Sequence, residues 1–208
     1  VKSASKLDVI DSPHQFYAEI KHASHLCSGI ADSTMSHGEP WQFARLGRTL
    51  ERADKTARIL DVKYFMLLPK ADHVGSPYDA LLWSALLKSA SAFEMYRKRY
   101  RVIHPDRVVE FLMLDSHFAR SMRFSVKGAE RSLRLITGGP LSGYANPLER
   151  TLGRLRSDLE YADISEILQG GLHEYLDDFQ DKLNQVGSAV YETFFALKPI
   201  AVGANTSS

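Results

Sequence analysis

Apolar residues recur along this chain at spacings of three and four, the period of a helix that buries one face. Phe16, Ile20, Ala23, Cys27 and Ile30 make the first such stripe. Phe43, Leu46, Leu50, Ala53, Ala57, Leu60, Tyr64 and Leu67 make the second. Leu82, Leu86, Phe93, Tyr96 and Tyr100 predict a helix over about 77–101, and shorter helices follow near 105–114 and 118–136. Leu148, Leu152, Leu155 and Leu159 share one side of a helix over about 146–161. Leu168, Leu172, Tyr175, Phe179, Leu183, Val186, Val190 and Leu197 predict the longest helix, from about 164 to 197, and Asp163-Ile-Ser-Glu166 resembles a capping box at its start. Gly170-Gly171 is the weak point of that helix, since each glycine costs about 1 kcal/mol relative to alanine. No segment alternates with a period of two. The pattern predicts an all-α fold, a single-domain bundle of about six or seven helices with no significant sheet.

Proline punctuates the same spans. Pro13, Pro40, Pro77, Pro105 and Pro147 sit where helices should begin, because a first-turn residue has no use for its N–H. Ser12, Ser76 and Asn146 precede three of them as good N-caps. Pro69, Pro140 and Pro199 follow apolar runs, where helices should stop. The glycine-rich stretch 138–143 reads as a connection between helices. The helical domain is expected over 1–198, with 199–208 a disordered tail.

Composition adds bounds. A chain of 208 residues with 44% hydrophobic and 25% charged positions has the make-up of a globular protein with one sizeable core. Its net charge of +1 gives no pull toward nucleic acid or an anionic membrane. No apolar run reaches the roughly 20 residues that span a bilayer. The single cysteine, Cys27, leaves no intrachain disulfide. Together these predict a cytoplasmic protein. Charge is uneven, however: residues 88–134 hold eleven Lys/Arg against five Asp/Glu, and 149–192 hold four against ten. Helices from the two regions are expected to lie together and complement each other.

Candidate chemistry concentrates in "WQFARLGRTLERADKTARILD", residues 41–61. Arg45 and Arg52 fall on a row continued by Ile59 and Met66, so they should face protein. Asp54–Arg58 and Glu51–Lys55 are favourable i,i+4 pairs, and Glu51 can also reach Arg48. Arg45, Arg48 and Arg52 still lack local carboxylates. Each needs an acid from another helix or an anion from solution. Glu51 and Arg52 are expected to be at least half buried, with acids chiefly from 149–181 and Asp32 as a further partner.

"GIADSTM", "W-x-F-x-RLGR-x-LERAD-x-x-x-RILDVKY" and "LLP" together resemble the Alpha-E family, bacterial helical domains named for a Glu-Arg motif. The likeness continues through "LLWSALLKSASAFEMYRKRY", "RVVEFLMLDSHFARSMRF" and "GRLRSDLEYADISEILQGGLHEYLDDFQDKLNQVG", covering about residues 14–196. It implies that Glu51-Arg52 is the family's motif, and that the chain matches the C-terminal two-thirds of the family's length, downstream of an earlier Glu-Arg segment. It further implies an accessory or interaction domain without independent activity or cofactor, the partner of circularly permuted ATP-grasp-type ligases in peptide or amide bond chemistry. The alternative is an enzyme or anion-binding protein that uses Arg45, Arg48, Glu51, Arg52 and Arg58 on a carboxylate or phosphate.

Other constellations carry less. His173-Glu174 with Asp177-Asp178 lacks the paired Glu-x-x-His segments of helical di-metal sites, and no metal is expected. His22 and His25 read as polar helix surface. Cys27, on an apolar stripe, should be a buried and inert thiol. "RKRYR" at 97–101 should favour a helix C-terminus, where cations suit the dipole, over nucleic acid.

Overall fold

The computed structural model describes residues 12–67, 77–139 and 143–196. These hold nine helices and no strand: α1 (Pro13–Thr34), α2 (Glu39–Leu67), α3 (Pro77–Ser89), α4 (Phe93–Tyr100), α5 (Pro105–Leu114), α6 (Met122–Thr137), α7 (Pro147–Glu160), α8 (Ile164–Gly170) and α9 (Leu172–Phe194). Pro13, Pro77, Pro105 and Pro147 open their helices, and Pro40 is the second residue of α2. Asn146 caps α7 by accepting from the Glu149 N–H at 2.8 Å. Ser12 occupies the N-cap of α1 without a side-chain bond. Ser76, Pro69, Pro140, Pro199 and the expected tail at 199–208 lie outside the described residues, as do the side chains of Tyr64 and Met66.

The all-α expectation holds, but six or seven helices become nine because two predicted spans each break once. The span 77–101 divides at Ser91, whose φ is +53°. The Ser91 N–H bonds the Lys88 carbonyl at 2.9 Å, and the Ala92 N–H bonds the Leu87 carbonyl at 2.7 Å. Those two bonds form a Schellman motif, with fully buried Leu87 and Ala92 as its apolar contact. The span 164–197 divides at Gly171 (φ +107°, ψ +111°). Asp163 caps the first piece, accepting from the Ser165 and Glu166 N–H groups. The longest helix is therefore α2, with 29 residues.

α2 packs most extensively against α6, α7 lies on α6, and α9 crosses both α2 and α7. The core takes Leu46, Ala53, Ala57 and Leu60 from α2, all four leucines of the α7 stripe, and Leu172, Phe179, Leu183 and Val186 from α9. Tyr96, fully buried, stands edge-on to Phe111 at 5.6 Å, and Phe111 stacks on Phe118 at 4.8 Å. Its hydroxyl bridges the α4–α5 turn, donating to the Val102 carbonyl and accepting from the His104 N–H, both at 3.2 Å.

α1 departs from expectation. None of its residues is buried, and Cys27 is exposed rather than enclosed. The stripe is amphipathic, yet no helix among the described residues covers it.

Charges complement across α6 and α7 in both directions. Arg123 of α6 grips both carboxylate oxygens of Glu160 on α7, which holds that carboxyl below its ordinary pKa. Glu130 of α6 lies 3.1 Å from both Arg134 and Arg156, so it ties its own helix to α7. On the acidic side Lys182 sits between Asp178 (2.8 Å) and Asp158 (2.9 Å), and its pKa is raised by those bonds. His173 of α9 meets Asp61 of α2 at 2.6 Å.

Two tests follow from these contacts. Gly171→Ala forces a side chain into a left-handed φ beside the Glu174 carboxylate, and should destabilise by about 1–3 kcal/mol. Gly170→Ala, with nothing within 4 Å of its new Cβ, should gain about 0.5 kcal/mol in the same urea-denaturation series. The second test concerns pH. The hydrogen bond that His173 donates to Asp61 raises its pKa above the ordinary 6.5, with Glu174 and Asp177 adding to the field. A raised histidine stabilises fully below its unfolded value, and the contribution is lost as pH climbs through the folded one. Melting temperatures measured from about pH 6 to about pH 8.5 should fall more steeply for the native chain than for His173→Gln.

Candidate functional site

The charged face of α2 is built against the loop that joins α5 to α6. Asp115 starts that loop. Its Oδ1 accepts from the His117 N–H at 2.8 Å and the Phe118 N–H at 2.6 Å, while Oδ2 takes Arg99. Ser121 ends it, donating its hydroxyl to the Asp115 carbonyl and accepting the Phe124 N–H at 3.0 Å as the cap of α6. Between them the chain presents two successive carbonyls to α2. Arg52 Nη1 donates to the Ala119 carbonyl at 3.1 Å, and Thr56 Oγ1 to the Arg120 carbonyl at 2.8 Å. Residues 52 and 56 are one helical turn apart, so two adjacent backbone acceptors match two adjacent donors. The Arg52 pKa is lowered, first by burial and then by the nearby charges of Arg120 and Arg48.

At the N-terminal end of α2 a second cluster forms around Asp32, from the end of α1. Its Oδ1 accepts from Arg48 Nη2 at 3.1 Å and Trp41 Nε1 at 3.3 Å. The Arg48 hydrogen bond lowers the Asp32 pKa. Trp41 stacks on His37 at 4.1 Å, and the Arg45 guanidinium lies 5.3 Å from the Trp41 ring centroid.

Several expectations are corrected here. Glu51 is exposed and joins no hydrogen bond or ion pair among the described residues. The α2 wheel turns Ala53 and Thr56 inward, which leaves position 51 outside. Arg52 is half-buried as expected, but its partner is a carbonyl. None of Arg45, Arg48, Arg52 and Arg58 takes an acid from 149–181. Arg48 uses Asp32, Arg58 uses Asp54 at 2.8 Å, and Arg45 uses an aromatic face. Lys55 approaches Asp54 at 4.0 Å rather than Glu51. Within 149–181, Glu160 takes Arg123, Asp158 and Asp178 take Lys182, and Asp163 caps α8. His173 faces Asp61, and no group of three or more His, Cys, Asp or Glu side chains placed to hold a metal occurs among the described residues.

A family model described as "a predicted alpha-helical domain with a conserved ER motif", named Alpha-E, matches residues 2–195. The chain belongs to the Alpha-E family. No curated protein and no solved structure matches it.

This Alpha-E chain contains three Glu-Arg pairs, at 51–52, 130–131 and 149–150. Sequence reasoning singled out the first and missed the roles of the other two glutamates. Glu130 makes one of the α6–α7 ion pairs, with Arg156. Glu149, 3% exposed, accepts from the Ala145 N–H at 2.6 Å and from the Thr137 hydroxyl, so it ties both ends of the α6–α7 connection to α7. A glutamate within three residues of an N-cap asparagine was the available signal, since a first-turn acid suits the helix dipole.

A cavity of about 380 Å³ lies where α7, α8 and α9 meet, lined by Asp158, Asp163, Glu166, Glu174 and Tyr175. Burial, then Asp158, pushes the Tyr175 hydroxyl up to about 12. Asp158 is neutralised by Lys182, and Asp163 is committed to capping α8.

The carbonyl contacts set the expected cost of losing the motif arginine. Arg52→Ala strands no carboxylate and relieves repulsion with Arg120, so it should destabilise by only about 1–2 kcal/mol, the scale of a charged hydrogen bond. Thr56→Val should cost about 1 kcal/mol by the same route. Lys55→Ala, fully on the surface, should stay within about 0.5 kcal/mol in the same chemical denaturation series.

Proposed function

We propose that this Alpha-E chain is an accessory domain without independent catalytic activity, acting with a circularly permuted ATP-grasp-type ligase in peptide or amide bond formation. The observation that carries this reading is the use made of the charged helix. Arg48 and Arg58 are neutralised by Asp32 and Asp54, and Arg52 holds a loop. Glu51 stands exposed and apart from any nucleophile or base. A catalytic constellation needs acid, base or nucleophile within hydrogen-bond reach of each other. Of the two motif residues, Arg52 serves architecture instead, by holding the Ala119 carbonyl.

An interaction role is supported by α1, which leaves Ile20 51% and Leu26 65% exposed on a helix that buries nothing. Ile30, on the same stripe as Ile20, is 51% exposed as well, and an uncovered apolar stripe of this kind marks an interaction surface. Co-expression with a circularly permuted ATP-grasp-type ligase should yield a complex that survives gel filtration, and ATP turnover by the ligase should change when the domain is present. Ile20→Glu combined with Leu26→Glu should weaken the complex at least tenfold while leaving the melting temperature nearly unchanged. A ligase that neither co-purifies nor changes its turnover would overturn the reading.

A further inference from the structure

We propose that the cavity between α1 and the α3–α4 turn binds a phosphoryl anion, either free phosphate or a phosphate monoester. The cavity measures about 300 Å³ and is lined by Lys21, Ser24 and His25 of α1, Lys88, Ser89 and Ser91 at the end of α3, and Arg120. Among the described residues, no carboxylate lines it. Lys21, Lys88 and Arg120 are the Lys and Arg side chains of the lining. Three like charges held around one opening repel each other unless a counter-anion sits among them.

None of the three cations joins an ion pair among the described residues. The Lys88 ammonium lies 5.2 Å from the Phe93 ring centroid, a contact that fixes its position and leaves its charge available. The Arg120 carbonyl is committed to Thr56, while its guanidinium joins no ion pair among the described residues. Arg52 feels the Arg120 charge, so the positive field continues from the cavity to the motif helix.

The C-terminus of α3 works against an anion, since its last carbonyls carry partial negative charge. Two of them, Leu87 and Lys88, are occupied by the Schellman bonds, which blunts that effect. The hydroxyls of Ser24 and Ser91 add neutral donors. A phosphate, with a double charge and several acceptor oxygens, satisfies three cations and two hydroxyls, where a carboxylate offers only two oxygens. The site uses residues other than those that would contact a ligase through α1's apolar side chains, so the two proposals stand or fall separately.

Calorimetric titration of the full chain at low ionic strength tests the assignment, with inorganic phosphate, phosphoserine and acetate as probes. Phosphate or phosphoserine should bind one to one, at least tenfold tighter than acetate. The tighter of the two identifies free phosphate or a monoester as the ligand form. Arg120→Gln and Lys21→Gln should each weaken binding at least tenfold, and Lys55→Gln should leave it unchanged. Lys21 is exposed on a helix without buried residues, so Lys21→Gln keeps the fold even if the Arg120 variant does not. Absence of saturable binding, equal binding of acetate, or full affinity in Lys21→Gln would each overturn the proposal.

Discussion

Gly128 on α6 leaves room for the methyl group of Thr49 on α2, and a side chain added there would meet it at 3.3 Å. Around that contact the two helices present small residues to the interior: Ala53 and Ala57 from α2, Ser125, Ala129 and Ser132 from α6, all fully buried. Small side chains let two backbones come close. Close approach is also what allows Arg52 and Thr56 to touch the backbone that leads into α6. With bulkier residues at the seam, the two side chains would fall short of the Ala119 and Arg120 carbonyls. The part-buried Arg120 carbonyl would then need another donor, while the exposed Ala119 carbonyl would turn to water. The position of the whole Asp115–Ser121 loop thus depends on a steric feature one layer below it.

The sequence revealed elements whose burial is a matter of apolar spacing. The leucines of α7 and the stripe of α9 are enclosed as their periods require. It concealed features that depend on the backbone. Ser91 ends α3 in a conformation usually taken by glycine, so no residue type marks the break. Gln42, Thr49 and Thr56 form a buried row at seven-residue intervals, yet polar identity makes such a row look solvated. Arg52 was expected to need a carboxylate because only charged side chains can be counted in a sequence. A carbonyl turned toward it leaves no trace there. α1 shows the converse: an amphipathic pattern states that a face could be buried, not that a partner is present.

Charge has three distinct uses in the molecule. Between α6 and α7 it is paired across helices, where Arg123–Glu160 and Arg156–Glu130 are partly shielded from water and therefore less screened than surface pairs. Along α2 it is spent on nearby groups of several kinds, an aspartate, an aromatic ring and a carbonyl. Around Arg120 it is left uncompensated. The acidic cavity at the α7–α9 end and the basic one beside α1 differ in the same respect: Lys182 serves Asp158 in the first, and no counter-ion among the described residues serves the second.

The absence of buried side chains in α1 has a thermodynamic corollary. A 22-residue helix without tertiary burial is marginal in water, since packing supplies most of a helix's stability. What fixes α1 to the body is concentrated near its C-terminus, where Asp32 meets Trp41 and Arg48. Opening from the N-terminal end therefore costs little of the global unfolding free energy. In the terms of native-state amide exchange, α1 is expected to open as a separate cooperative unit while the other eight described helices stay intact. Surfaces that α1 helps to build exist only for the fraction of time it is folded, which makes its helix–coil equilibrium a natural control over anything that binds there.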